Sequence, residues 1–365
     1  MKLQQLTVKK KNGIFKEIEI VRDKIEFDLA MSFILDDSLT KQKIGYIRLP
    51  RFYSGNPGSA DHVLNEIKTL KKNNVKGIIF DVRNNIGGSA GECRELISYF
   101  INEGIIMQSK SANGGINQEY INNPSLQYEG DLLVLTNSRS GSASELFSGT
   151  LQDYKRALIV GSKSTFGKGT MQNFIDLNDS ENSASKFGQI KMSVALFYTA
   201  SGRSPQSTGI IPDIKLLDDS KYIRSGERCF PFSLPPDALP ETIVRQDVNN
   251  VKSIEQLKAK SEQRTSTNNR FILAEKKARR LLDVEERNLV SLDIDTYKEQ
   301  KITEASFEKE NKEIFSDIKE FEVSFDKTAF KQDSTSVLNR KRWIKQIKQD
   351  PYIYECYKII NDMIG

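Results

Sequence analysis

A single histidine in 365 residues is the scarcest feature of chemical consequence in this chain. His62 stands in the polar run Ser59-Ala60-Asp61-His62, with nothing around it resembling a triad member. A serine nucleophile here has to find a base other than imidazole. Cysteine is nearly as rare: Cys93, Cys229 and Cys356 are far apart, odd in number and without paired spacing. That pattern suggests neither a disulfide framework nor a zinc site, and at most one bridge could form. No apolar run approaches the roughly 18 residues of a membrane span. Met1-Lys2-Leu3-Gln4-Gln5 is not followed by the apolar stretch of a signal peptide, so as written the chain reads as soluble and untargeted. Glycine-rich phosphate cradles are missing as well, with no GxGxxG spacing and no Walker lysine, and no cofactor is expected. The 54 Lys and Arg are interleaved with 49 Asp and Glu for a net charge of +5. Without an aromatic and basic stripe, that excess argues for solubility and against a nucleic-acid partner.

What the chain has is length enough for a sizeable core and, as a prior, two or three domains. Residues 5–9 and 15–21 alternate apolar and polar around Lys11-Asn12-Gly13, a hairpin signal. Two strands alone cannot bury a core, so this segment reads as the end of a module or an edge addition. From residue 43 the pattern alternates strands and helices. Strands are expected at 44–49, 75–82, 132–135, 158–160 and 190–198, and helices at 60–71, 90–100 and 144–154. The run 75–82 is almost continuously apolar, as in a strand buried on both faces. This is an α/β core. After the Pro-rich stretch Phe230-Pro231-Phe232-Ser233-Leu234-Pro235-Pro236, composition turns charged and glycine-poor. Leu273, Leu281, Leu282, Val284 and Leu289 mark one apolar stripe, which reads as amphipathic helices packing on the core rather than a coiled coil. Trp343, Tyr352, Tyr354 and Tyr357 are expected to anchor the last helix.

The chemistry concentrates between residues 137 and 172. Ser142-Ala143-Ser144-Glu145 lies where a strand-end loop turns into a helix. There the unpaired N–H groups and the dipole favour a developing oxyanion, with the Ala143 amide as its first donor. The plainer interpretation is an N-cap by Ser142 or Ser144, with Glu145 favoured in the first turn. Lys168, in Thr165-Phe166-Gly167-Lys168-Gly169, has the apolar and glycine surroundings that lower an amine toward the unprotonated form. Gln172 is placed to orient it, from the same helical face or across a bent loop. Asp81-Val82-Arg83-Asn84-Asn85-Ile86-Gly87-Gly88 closes the buried strand, and its glycine pair can present a second oxyanion donor or merely make a turn. Asp153 reads as structural at a helix end.

These residues resemble the carboxy-terminal processing proteases, and among them the tail-specific branch of the bacterial envelope. Further matching segments are Gly45-Tyr46-Ile47-Arg48-Leu49-Pro50 with Phe52-Tyr53, Gln152-Asp153-Tyr154, Gly209-Ile210-Ile211-Pro212-Asp213-Ile214, Asp237-Ala238-Leu239-Pro240 and Glu286-Arg287-Asn288-Leu289-Val290-Ser291-Leu292. Coverage is nearly the whole chain. The resemblance implies a ClpP/crotonase-like serine protease core with a helical C-terminal domain. It also implies Ser142 as nucleophile, Lys168 as general base and Gln172 as its orienter. Ala143 with Gly87 or Gly88 would form the oxyanion hole, and Glu145, Asp153 and Thr165 would be supporting residues. Residues 1–25 resemble the final strands of a PDZ domain. The core is expected at 26–228, a Pro-rich connection at 229–250 and the helical domain at 251–365. The chain departs from the usual pattern at Gly141, at Ile86 and in a Ser142-to-Lys168 spacing one residue longer. Implied partners are polypeptides with apolar C-termini and an adaptor lipoprotein, and the implied location is the periplasm or cell envelope. Two rival expectations are a non-catalytic peptide-binding scaffold and, more distantly, a coenzyme A hydratase of the crotonase class.

Overall fold

The computed structural model describes residues 3–21, 30–122, 126–177, 187–218, 221–242, 244, 251–287, 291–328 and 334–365. Strands β1 (Leu3–Lys9) and β2 (Phe15–Val21) form the expected hairpin, with Gly13 at φ 83° in its turn. Next come β3 (Met31–Asp37), β4 (Lys43–Arg48), α1 (Ser59–Lys72), β5 (Gly77–Asp81) and α2 (Ala90–Ser98). They are followed by β6 (Glu103–Ser111), β7 (Ile116–Asn122), β8 (Asp131–Thr136), α3 (Ala143–Asp153) and β9 (Leu158–Gly161). A long ribbon, β10 (Thr170–Asp176) and β11 (Gln189–Tyr198), precedes the short β12 (Ile214–Lys215). The C-terminal part comprises α4 (Ile254–Thr267), α5 (Asn269–Glu286), α6 (Ile294–Asn311), β13 (Phe321–Ser324), α7 (Ser334–Gln349) and α8 (Pro351–Ile364).

The central sheet has the order β12-β9-β8-β5-β4-β3-β13, with β4, β5, β8, β9 and β12 parallel and the β3 and β13 edge antiparallel. Parallel strands need crossovers, and α1, α2 and α3 supply them on one face. Successive strand residues point to opposite faces. Accordingly Ile78, Phe80, Leu132, Val134 and Ile159 bury against α1–α3, while Ile79, Leu133, Leu135, Leu158 and Val160 bury on the other side. The apolar run 75–82 is therefore explained by a strand with two covered faces.

The second face is covered largely by α8. Ile353, Cys356, Tyr357, Ile359 and Ile360 are all at most 2% exposed and join the same core as the strands. Gly77 permits this approach, since a Cβ there would lie 2.7 Å from the Ile360 side chain. The C-terminal part is thus more than helices packed on a finished core: it adds β13 to the sheet and closes a sheet face. Tyr357 anchors α8 as expected, through its hydroxyl on Asp37. Trp343 instead lies on α7, under the Arg48 guanidinium at 3.7 Å from the ring centre. Of the apolar stripe on α5, Leu273 is buried and Val284 is exposed, and Leu289 lies outside the described residues. Strands β6, β7 and β10 were not legible in the periodicity, because they are mixed polar segments with much of their length exposed, whereas β3 is a short buried run, Met31 to Leu35, that the periodicity leaves unassigned.

The start of α8 is tied to the loop after β5. Asp350 Oδ1 caps the helix by accepting from Tyr352 and Ile353 amides, and its Oδ2 pairs with Arg83 at 2.9 Å. Arg83 also pairs with buried Asp81 at 2.7 Å, to which Tyr46 donates its hydroxyl. Burial alone would raise the Asp81 carboxyl, but Arg83 outweighs it and holds the group below its ordinary range. If α8 is part of one cooperative core, Ile360→Ala should lower unfolding free energy by about 2–5 kcal/mol. Urea denaturation measures this, and a loss below about 1 kcal/mol would show that α8 packs as a dispensable layer.

Candidate active site

Ser142 ends the loop between β8 and α3 with φ 57° and ψ −114°, a conformation that costs an L-residue energy and persists only where neighbours enforce it. The enforcing contacts are identifiable. The Gly141 amide donates to Asn85 O at 2.9 Å, the Phe166 amide to Ser140 O at 2.9 Å, and the Ser142 amide to Glu145 Oε2 at 2.8 Å. Ser142 stands at the N-cap position of α3 and Glu145 reaches back to its amide, but the Ser142 hydroxyl itself supplies no side-chain cap. Ser144 is not the cap either: its hydroxyl donates to Asn85 O at 2.8 Å. Gly141 has ordinary clearance for a Cβ, 3.4 Å from the nearest atom, so an alanine would fit there.

The loop after β5 approaches from the other side. A Cβ on Gly87, at φ 101°, would lie 2.8 Å from Ser142 Cβ and 3.0 Å from Ala143 N, and one on Gly88 only 2.0 Å from Phe52 O. Both glycines are required by close backbone approach. Their amides differ in availability. The Gly87 N–H donates to Asn85 Oδ1 at 2.9 Å, so it is occupied and is not a free oxyanion donor. The Gly88 and Ala143 amides donate to no acceptor among the described residues. Asn85, fully buried, also donates through Nδ2 to Leu49 O at 3.0 Å. Sequence reading passed over it; its signal was the Asn-Asn pair before the glycines, since Asn side chains bond the backbone two residues on.

Glu145 joins these parts to the lysine. Its buried carboxylate accepts four hydrogen bonds: Ser142 N and Lys168 N at 2.8 Å on Oε2, Gly167 N at 2.6 Å and Thr165 Oγ1 at 2.5 Å on Oε1. Thr165 Oγ1 in turn accepts from the Ile210 amide at 2.6 Å. Burial pushes the Glu145 carboxyl up to about 7, against the pull of its four donors. Lys168 Nζ donates to Gln172 Oε1 at 3.2 Å. Gln172 is on neither a helix nor a bent loop: it lies in β10, just past a register shift between Met171 and Gln172. Partial burial, and then the like charge of Lys191, hold the Lys168 amine below the ordinary lysine value.

Ser142, Ala143, Gly87, Gly88, Lys168 and Gln172 all line one cavity of about 1000 Å³. Asp153 does not: at the end of α3 it accepts from the Ser201 amide at 2.8 Å and pairs with Arg203. His62 is bonded to Gly58 O at 2.8 Å and to the Tyr53 hydroxyl.

A carboxyl raised in the folded state above its free value of 4.5 binds more protons folded than unfolded, so it makes stability fall as pH rises from about 4.5 to about 7. Glu145→Gln should remove that slope. It should also reduce any Ser142-dependent rate at least tenfold, because an amide nitrogen would face two of the four donors. Stability curves at pH 5 and 8 check the first outcome; a slope unchanged in the variant would place the titration elsewhere.

The α/β core thus brings a strained serine, two unpaired amides and a lysine of lowered pKa to one cavity. Residues 43–216 match the profile of peptidase family S41, and residues 220–365 match the C-terminal domain of tail specific protease. Residues 43–216 thus belong to peptidase family S41, with the C-terminal domain of a tail-specific protease following them. It is similar to the tail-specific protease of Haemophilus influenzae, 30% identical over 249 residues, covering 67% of this chain and 35% of that protein. It is also similar to the carboxy-terminal-processing protease of Bartonella bacilliformis, 32% identical over 54% of this chain and 43% of that protein. The chain thus spans about two fifths of the length of these relatives. Among solved structures, a photosystem II D1 C-terminal processing protease aligns with a TM-score of 0.46 and 27% identity, covering 55% of this chain and 52% of that one.

Proposed function

We propose that this chain is a serine endopeptidase with a Ser142–Lys168 dyad, acting on unstructured polypeptides near apolar C-terminal ends. The observation that carries the reading is the placement of Ser142, strained and uncapped, beside the free amides of Ala143 and Gly88 and in one cavity with a lysine of lowered pKa. Lys168, as neutral amine, takes the Ser142 hydroxyl proton while Oγ attacks the scissile carbonyl carbon. The carbonyl oxygen becomes an oxyanion held by the Ala143 and Gly88 amides at the positive end of α3. Collapse of that intermediate breaks the C–N bond. The Lys168 ammonium returns the proton to the leaving amine, leaving an acyl ester on Ser142. Water activated by the same lysine then hydrolyses the ester. Gln172 keeps the amine aimed, and Glu145 fixes the backbones of both reacting residues. The apolar lining, including Met107, Leu146 and Phe197, suits apolar side chains. Action in the cell envelope with an adaptor lipoprotein belongs to the same reading and rests on the family resemblance.

Purified protein incubated with an unfolded substrate ending in apolar residues should yield fragments by mass spectrometry, with none from Ser142→Ala or Lys168→Ala. Persistence of cleavage in Ser142→Ala would overturn the dyad. Gly88→Ala should slow the reaction by about 10²-fold or more. The rate should rise with pH through an inflection below the 10.5 of an ordinary lysine, since only the neutral amine accepts the proton. A serine-directed covalent probe that leaves Ser142 unlabelled, with peptide binding retained, would favour the scaffold alternative.

A further inference from the structure

The cavity around Ser142 is cationic as well as apolar. Its lining includes Lys168, Lys191 and Arg51, and no Asp or Glu among the described residues. Two carboxylates outside the lining act on Lys168, Glu227 and Glu145, and Glu145 is buried with four donors of its own. Neither Lys191 nor Arg51 forms an ion pair with another described residue. Lys191 Nζ lies 5.5 Å from the centre of the Phe174 ring, a contact that holds the ammonium in place without neutralising it. Two unneutralised cations facing an apolar cavity leave a defined vacancy of charge.

We propose that this cavity takes an apolar peptide carrying a carboxylate, and that Lys191 is the residue that binds it. This rests on the reading of Ser142 as nucleophile for its catalytic consequence, but not for the binding itself. The β10–β11 register sets the spacing. Gln172, which holds the Lys168 amine, pairs with Ser193, and Phe174 pairs with Lys191. The two pairs are two residues apart on the same face of the ribbon, about 7 Å along the strand. A substrate lying extended beside β10 advances about 3.3 Å per residue, so its carboxylate at Lys191 falls two to three residues from the bond beside Lys168. The proximity of the two lysines is seen also in the influence of Lys191 on the Lys168 amine. The carboxylate can belong to a chain end or to an acidic side chain; the chemistry at Lys191 is the same.

The test separates binding from cleavage. Fluorescein-labelled apolar hexapeptides with a free carboxylate, with a C-terminal amide, and with that amide plus a Glu at the last position are titrated into Ser142→Ala protein by anisotropy. The free acid should bind roughly fivefold tighter than the plain amide, the gain expected of one partly exposed ion pair. The preference should vanish in Ser142→Ala/Lys191→Met and survive in Ser142→Ala/Lys191→Arg. If the Glu peptide matches the free acid, the site reads a carboxylate of either origin; if it matches the amide, the site reads chain ends. Equal affinity for acid, amide and Glu peptides, or a preference unchanged by Lys191→Met, overturns the proposal. With Ser142 present, free-acid peptides should be cut two to three residues from the carboxylate. Lys191-dependent binding without any cleavage would strike at the dyad and leave the carboxylate site standing.

Discussion

The arrangement depends on one buried carboxylate. Glu145 accepts from the backbone on both sides of the site, the Ser142 amide on one and the Gly167 and Lys168 amides on the other, and from the Thr165 hydroxyl. Among the described residues no other side chain bonds both the serine and the lysine segments in this way. A carboxylate can do so because it offers about four acceptor positions and no donor. Its burial is costly, and the four donors are what make an ionisable group tolerable there. The strained dihedrals of Ser142 are sustained by the same bond, together with the Gly141 contact to Asn85.

Around this centre, covering the sheet and shaping the site are the same problem. Strand β5 is buried on both faces, so the loop that follows it emerges between two packed layers and has little freedom. On one side the loop meets the start of α3 through Asn85 and Gly87; on the other it is held by Arg83 on Asp350 at the start of α8. The most distant segment of the sequence is therefore in contact with the loop that brings a free amide to Ser142. Both carboxylate oxygens of Asp350 are used, one on the helix and one on Arg83, so helix start and loop are set together.

The electrostatics of the cavity complete the picture. Desolvation and then Lys191 lower Lys168, and they outweigh the opposing pull of Glu227 and Glu145, neither of which lines the cavity. The same shortage of acids in the lining leaves Lys191 and Arg51 without an ion pair among the described residues. A peptide carboxylate brought to Lys191 would weaken the like-charge repulsion on the Lys168 ammonium, so substrate binding and the protonation of the base are linked through one neighbour.

Much was legible in the sequence because local physics determines it. The buried parallel strands read from continuous apolar runs, the crossover helices from their 3.6-residue period, and the first hairpin from Lys11-Asn12-Gly13. The one-histidine composition turned attention to Lys168, and the glycine pair marked a close backbone approach. What remained hidden depends on residues far apart in the chain. That β10 is a strand is settled by pairing with β11, that Gly87 is occupied and Gly88 free is settled by Asn85, and that Glu145 is more than a first-turn acid is settled by the arrival of Gly167 and Lys168. Asp153 looked like a helix-end residue and is one. The sequence by itself determined which elements form and which residue types could do chemistry, because propensity and periodicity act over a few residues. Tertiary structure alone decided which amides are free, which charges are neutralised and which face α8 covers. Those outcomes depend on donors, acceptors and surfaces that meet only after the chain has folded.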